Sequence, residues 1–156
     1  MLIKNAEALE ILQKVDTLVV DKTGTLTEGK PRVMSVLPAD SLDQAELLRL
    51  TASLERGSEH SLAAALLRAA EERKLSLVPA SGFRYLTGRG VTGQVDGREV
   101  AAGNERLFAE LGIEAAGLLS RAESLRKEGQ TVILVAVDRR LAGVIGIADP
   151  IKQSTP

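Results

Sequence analysis

Asp21 stands in the run Asp21-Lys22-Thr23-Gly24-Thr25-Leu26-Thr27, directly behind the apolar, β-branched residues 17–20. A carboxylate at the carboxyl end of a strand in an open α/β sheet lies on the rim where such sheets bind ligands. There it can attack a phosphoryl group to form an aspartyl phosphate, provided a divalent cation offsets the repulsion between the two anions. Gly24 allows a tight turn whose backbone N–H groups can face a phosphate, and Thr23, Thr25 and Thr27 supply hydroxyls and carbonyls nearby. Lys22 adds positive charge at that point or points to solvent. The same residue types also build an ordinary turn, with Asp21 hydrogen-bonding its own backbone. Taken one at a time, they leave both readings open.

A second set of polar and glycine positions lies further on. Ser58-Glu59-His60-Ser61 carries the only histidine of the chain at the start of a helical pattern. In that place Glu59 complements the helix dipole and His60 serves as a polar first-turn residue. Gly88-Arg89-Gly90-Val91-Thr92-Gly93 spells GxGxxG, but a dinucleotide fold requires a helix directly after it. Residues 94–100 read as a hairpin instead, which excludes that fold, and no GxxxxGK[ST] phosphate loop occurs. Asn104 closes the run Ala101-Ala102-Gly103-Asn104.

The elements that must position these residues follow from periodicity. Residues 5–14 read as a short helix and 17–20 as a buried strand with Asp21 at its end. Residues 32–37 alternate as a strand. Leu42, Ala45, Leu48 and Leu50 fall near helical spacing between Pro38 and Gly57, and a second helix over 61–74 completes a helical hairpin. Residues 78–102 change to strands, with Asp96-Gly97 as a two-residue hairpin turn. Helices return at 105–111 and 115–128, and strands at 131–137 and 141–147 flank the turn Asp138-Arg139-Arg140. The fold class is therefore α/β with an α+β insertion: an antiparallel sheet flanked by helical hairpins, interrupting a first element that carries Asp21. The excursion runs from about Pro31 to about Leu141, with a return near Gly146.

Composition limits what the chain can do. At 156 residues, 44% hydrophobic and 26% charged, it is a folded chain with one ordinary core or two small ones. Lys and Arg number 20 against 21 Asp and Glu, so no basic surplus draws nucleic acid or anionic lipid. An aromatic content of 2% leaves too few rings for single-stranded nucleic acid to stack on. Without cysteine there are no disulfides, thiolate metal sites or cysteine nucleophiles. No apolar run reaches the length of a membrane span, so direct membrane insertion of this piece is not expected.

DKTGTLT, continued by TEGKP, resembles the phosphorylation signature of P-type ATPases at every position. The resemblance implies a haloacid-dehalogenase-like phosphorylation domain interrupted by a nucleotide-binding domain, with residues 1–30 before the insertion, 31–145 within it and 146–156 after it. It implies that Asp21 takes the γ-phosphate of ATP, with Lys22 and Thr23 beside it. It also implies that Mg²⁺ binds the Asp21 carboxylate and the Thr23 carbonyl. SEHS resembles the SEHP signature of the heavy-metal branch, and TGRGV and AAGN resemble its further nucleotide motifs. By that likeness Glu59 and His60 approach the adenine, Gly88 and Gly90 let the backbone close on the nucleotide, and Asn104 completes the pocket by hydrogen bonding. The flanks LIKNAEALE and ADPIKQSTP look most like copper-exporting members.

Two departures from the family pattern stand out. Ser61 replaces the branch's Pro, which presets φ at a first helical turn. The sequence also stops at Pro156, before the Thr-Gly-Asp, lysine and GDGxND motifs that complete the family's Mg²⁺ and phosphate site. The expectation is thus an ATP/ADP-binding piece on the cytoplasmic side of a membrane transporter, with the remaining phosphorylation, actuator and transmembrane domains as its partners. A free-standing phosphatase of the same superfamily and a stand-alone nucleotide-binding or regulatory module are the alternatives.

Overall fold

The structure, a computed structural model, describes residues 13–17, 19–39, 42–58 and 60–152. Six strands, β1 (Arg32–Pro38), β2 (Ser81–Leu86), β3 (Gly90–Val95), β4 (Arg98–Gly103), β5 (Thr131–Val137) and β6 (Arg140–Ala148), form one sheet in the order β1-β6-β5-β4-β3-β2. Every neighbouring pair is antiparallel. Helices α1 (Gln44–Glu55) and α2 (Ser61–Glu72) connect β1 to β2, and α3 (Glu105–Leu111) and α4 (Ala116–Lys127) connect β4 to β5.

Alternation along the strands divides the core between the two faces. Ile133, Val135 and Val137 of β5 pack with Val91, Ala102 and the buried leucines of α1 and α2. Leu134 and Ala136 point the other way, onto Leu107, Phe108, Leu118 and Ala122 of α3 and α4. Leu47, Leu48, Leu50 and Leu54 of α1 are completely buried; at roughly 2 kcal/mol each, they dominate the attachment of that helix. α2 instead presents Ala63, Ala65, Ala69 and Ala70, small enough for the helix to lie close to its neighbours.

Each hairpin turn has the chemistry its geometry requires. Asp96 and Gly97 both take positive φ (52° and 75°), as do Asp138 and Arg139 (50° and 62°), the backbone of two-residue turns that match strand twist. Arg140, read from sequence as part of the second turn, is the first residue of β6. Arg49 of α1 donates to Glu46 at 2.7 Å and to Asp96 at 2.7 Å, tying the β3–β4 turn to the helix.

The described residues of the expected strand over 17–20 depart from expectation. Thr17, Val19 and Val20 lie in no strand, and Val19 is 92% exposed. An apolar β-branched run becomes a strand only where another strand takes up its N–H and C=O groups, and none does among the described residues. The helix expected over 5–14 falls outside the described residues except at Gln13 and Lys14, which form a turn.

The chain enters and leaves the sheet side by side. Arg32 of β1 pairs with Ala148 of β6, and the flanking segments continue the pairing. Glu28 N–H donates to the Pro150 carbonyl (2.8 Å), Thr27 bridges Ile151, and Lys152 N–H donates to the Leu26 carbonyl (2.9 Å).

Candidate functional site

The loop between β2 and β3 sets one wall of a cavity. Gly88 has φ 68° and Gly90 φ 150°, conformations that favour glycine. At Gly90 a Cβ would run into the Ala102 carbonyl and stand 2.6 Å from the Gly103 Cα, and at Gly103 one would run into the Arg89 carbonyl, so β3 and β4 approach here because neither residue carries a side chain. Asn104 secures the loop from the far side. Its Nδ2 donates to the Gly88 carbonyl (2.8 Å) and its N–H to the Arg89 carbonyl (2.9 Å). Its Oδ1 also accepts from the N–H groups of Arg106 and Leu107 (3.1 and 3.2 Å), capping α3. Asn104 therefore joins the glycine loop to a helix start, which uses both acceptor positions of its amide oxygen.

The opposite wall comes from the α1–α2 connection. His60 is the N-cap of α2: its Nδ1 accepts from the Leu62 N–H at 3.2 Å. With Nδ1 accepting, a ring proton sits on Nε2, which is placed to donate. The sequence suggested a first-turn residue; the side chain in fact starts the helix. Ser61, where the family pattern has Pro, is the first residue of α2, so the helix begins at the expected place without the ring.

Between these walls lies a cavity of about 280 Å³ whose lining includes Glu55, His60, Gly88, Gly90 and Asn104. It adjoins a second cavity of about 390 Å³, and the two share Ser58, His60 and Tyr85. His60, Gly88, Gly90 and Asn104, singled out from three separate stretches of sequence, thus meet in one place. Glu59 lies outside the described residues.

Glu55, the last residue of α1, was not singled out from sequence. Its side chain lines the cavity and is 8% exposed, and its Oε2 is buried with no hydrogen-bond partner among the described residues. Burial pushes its carboxyl group above the ordinary carboxylate range, opposed by the Ser58 hydroxyl and by His60. An unpaired buried carboxylate oxygen is costly and is set to accept from a donor that enters the cavity. A signal was present in the sequence: Glu55 falls four residues after Thr51 and seven after Leu48, on the apolar stripe of α1.

Asp21 lines neither cavity and belongs, with Lys22 and Thr23, to a different segment. Asp21 is exposed and precedes a single π-type turn, Lys22–Leu26. That turn is tied off on both sides: the Gly24 N–H donates to Thr27 Oγ1 (3.1 Å), and Lys152 Nζ donates to the Gly24 carbonyl (2.6 Å). Thr27 is completely buried and its hydroxyl donates to Asp149, so it holds the turn in shape rather than presenting a free hydroxyl to a phosphate. Asp149 further accepts from the N–H groups of Gly29 (3.1 Å) and Lys30 (2.9 Å). No group of three or more His, Cys, Asp or Glu side chains able to hold a metal occurs among the described residues.

A sequence model of haloacid dehalogenase-like hydrolases matches residues 15–155. A copper-transporting P-type ATPase of Rhizobium leguminosarum bv. viciae is 51% identical over 155 residues, which is 99% of this chain and 18% of that protein. A silver-exporting P-type ATPase of Salmonella typhimurium is 48% identical over 156 residues, the whole chain and 19% of that protein. The chain therefore spans about a fifth of the curated relatives it matches. Among solved structures, a zinc-transporting PIB-type ATPase superposes with a TM-score of 0.77 at 35% identity, covering 86% of this chain and 21% of the other. The N-domain of a copper-transporting P-type ATPase gives a TM-score of 0.64 at 25% identity, covering 76% of this chain and 99% of the other. The resemblance read from the motifs thus extends over the whole length, and the antiparallel sheet between helix pairs is the architecture expected from it.

Proposed function

Since the chain belongs to the haloacid dehalogenase-like hydrolase family, we propose that it is the nucleotide-binding region and first phosphorylation segment of a heavy-metal P-type ATPase of the copper-exporting kind. ATP bound in the cavity phosphorylates Asp21 in the complete protein, and the phosphorylated state drives cation export across a membrane. Residues 31–145 form the inserted nucleotide-binding domain, and 1–30 and 146–156 belong to the phosphorylation domain. The end of β6 at Ala148 supports a return a few residues beyond 145.

The observation that carries this reading is the orphaned carboxylate oxygen of Glu55 in a cavity walled by a glycine loop. Adenine offers an exocyclic amine that can satisfy Glu55, whereas guanine presents a carbonyl oxygen at the corresponding position, which the carboxylate repels. The loop at Gly88 and Gly90 admits the ribose and phosphates close to the backbone, and His60 Nε2–H adds a donor. Glu59, Lys22 and the remaining partners, the actuator, transmembrane and other phosphorylation domains, enter through the family resemblance.

Mg²⁺ takes oxygen ligands, commonly one or two carboxylates with substrate phosphates and waters. The Asp21 carboxylate and Thr23 carbonyl are donors of that type. They would supply part of the oxygen shell of an ion that is also held by the nucleotide phosphates. When bound, the ion offsets repulsion between the phosphoryl oxygens and the attacking carboxylate.

Calorimetric titration of the 156-residue chain with ATP, ADP and GTP, with and without Mg²⁺, tests the reading. Adenine nucleotides should bind with most of their affinity in the absence of Mg²⁺, and GTP far more weakly. Equal binding of GTP, or no binding of any nucleotide, ends the assignment.

A further inference from the structure

Tyr85 is the only tyrosine of a chain without tryptophan, and it stands on the edge strand β2 with 56% of its surface exposed. A single exposed aromatic needs no explanation in general, but this one occupies a particular row of the sheet. Tyr85 pairs directly with Val91, and Val91 with Ala102. Directly opposed residues share a face, so the three side chains form a strip on the α1–α2 side of the sheet. All three line the cavity that contains Glu55 and His60. Val91 and Ala102 are buried at the inner end of the strip, and Tyr85, which also lines the adjoining cavity, forms its outer end.

We propose that the Tyr85 ring is a wall of the base subsite, lying against the purine of the bound nucleotide; this rests on the nucleotide-binding reading above. A purine held at its edge by the Glu55 carboxylate still has apolar faces to remove from water. The Tyr85–Val91–Ala102 strip supplies a surface for that purpose, and its aromatic end is free to adjust because it sits at the sheet edge. The division of labour is distinct. Stacking accepts any base, since every base has a π face, so Tyr85 provides affinity while Glu55 selects adenine.

The chain carries its own reporter, because all indole- and phenol-type emission comes from Tyr85. ATP titrated into the unaltered 156-residue chain should change tyrosine emission along the same curve that calorimetry records. Tyr85→Phe should keep ATP affinity within about twofold, whereas Tyr85→Ala should weaken both ATP and GTP by about fivefold or more, leaving their ratio unchanged. Circular dichroism should be the same for all three proteins, as the side chain is exposed. Calorimetric binding with no change in emission, or Tyr85→Ala binding ATP as tightly as the parent, overturns the inference and leaves the nucleotide site standing. No binding to the parent chain overturns the nucleotide site and the inference together.

Discussion

Replacing Glu55 by Gln should move stability and ligand affinity in opposite directions. In the ligand-free protein Oε2 is buried without a partner among the described residues, and an unsatisfied charged oxygen costs more than an unsatisfied amide. Removing the charge should stabilise the fold by about 1 kcal/mol, or about 2–4 °C in melting temperature for a chain of this size. Binding should suffer. A hydrogen bond to a carboxylate contributes about 1.5–3 kcal/mol and one to a neutral acceptor about 0.5–1.5, so ATP affinity should fall about five- to tenfold. The Gln amide can also turn to donate, so the preference for ATP over GTP should narrow. The pH dependence has a definite sign. Burial raises the folded-state pKa of Glu55, so its contribution to stability is complete in acid and is lost as pH rises through the folded value. Parent and Glu55→Gln should therefore have similar melting temperatures in acid and separate as the pH is raised. Thermal denaturation across pH, with calorimetric titration at neutral pH, measures both effects. A Glu55→Gln protein that is less stable at neutral pH and binds ATP unchanged would refute the reasoning.

Asn104→Asp keeps the cap acceptor but loses the donor to Gly88, so it should melt close to the parent and bind ATP more weakly, while Asn104→Ala should also lose about 1 kcal/mol of stability. Gly90→Ala should be among the most destabilising single changes, since its Cβ has no room, whereas Gly88→Ala meets open space and bears only its positive φ, about 1 kcal/mol; denaturant titration separates the two. Glu46 behaves oppositely to Glu55: its hydrogen bond with Arg49 lowers its pKa, so its contribution is present above the unfolded-state value and lost as pH falls, and Glu46→Gln should flatten the acid side of the stability profile. With two oxygen donors at Asp21 and Thr23 and no acidic cluster among the described residues, the 156-residue chain alone should accumulate no acid-stable, hydroxylamine-sensitive phosphate from γ-labelled ATP. Labelling that disappears in Asp21→Asn would contradict this.

The parts of the fold legible in the sequence were those decided by local chemistry. Asp96-Gly97 and the 105–111 helix could be placed because turn residues and caps act on their own neighbours. The extended run before Asp21 was misread as buried, because strand burial depends on a partner strand that no local pattern reveals. At the site, glycines and His60 were legible through motif chemistry, but their mutual approach depends on the register of β2, β3 and β4, set by long-range pairing. Glu55 was overlooked because a glutamate at the end of a leucine-rich helix resembles an ordinary solvent-facing residue. Only its phase relative to Leu48 and Thr51, both fully buried, distinguishes it. Asn104 was identified, but its two-sided anchoring of a loop and a helix is visible only in three dimensions.

The side-by-side doorway at Arg32 and Ala148 has a consequence for how such a body can be acquired or exchanged. Its two ends are one strand spacing apart, about 4.8 Å, a gap that a host loop spans whether or not the body is present. Splicing it into a surface turn therefore leaves the host's geometry nearly unchanged, and the added chain-closure entropy is borne within the insert, where its own sheet offsets it. Asp149, which grips Thr27, Gly29 and Lys30 across the doorway, acts as the fastener of a removable cartridge: a graft that carries both lips of the seam should keep its fold in a foreign host, and one cut inside the seam should not.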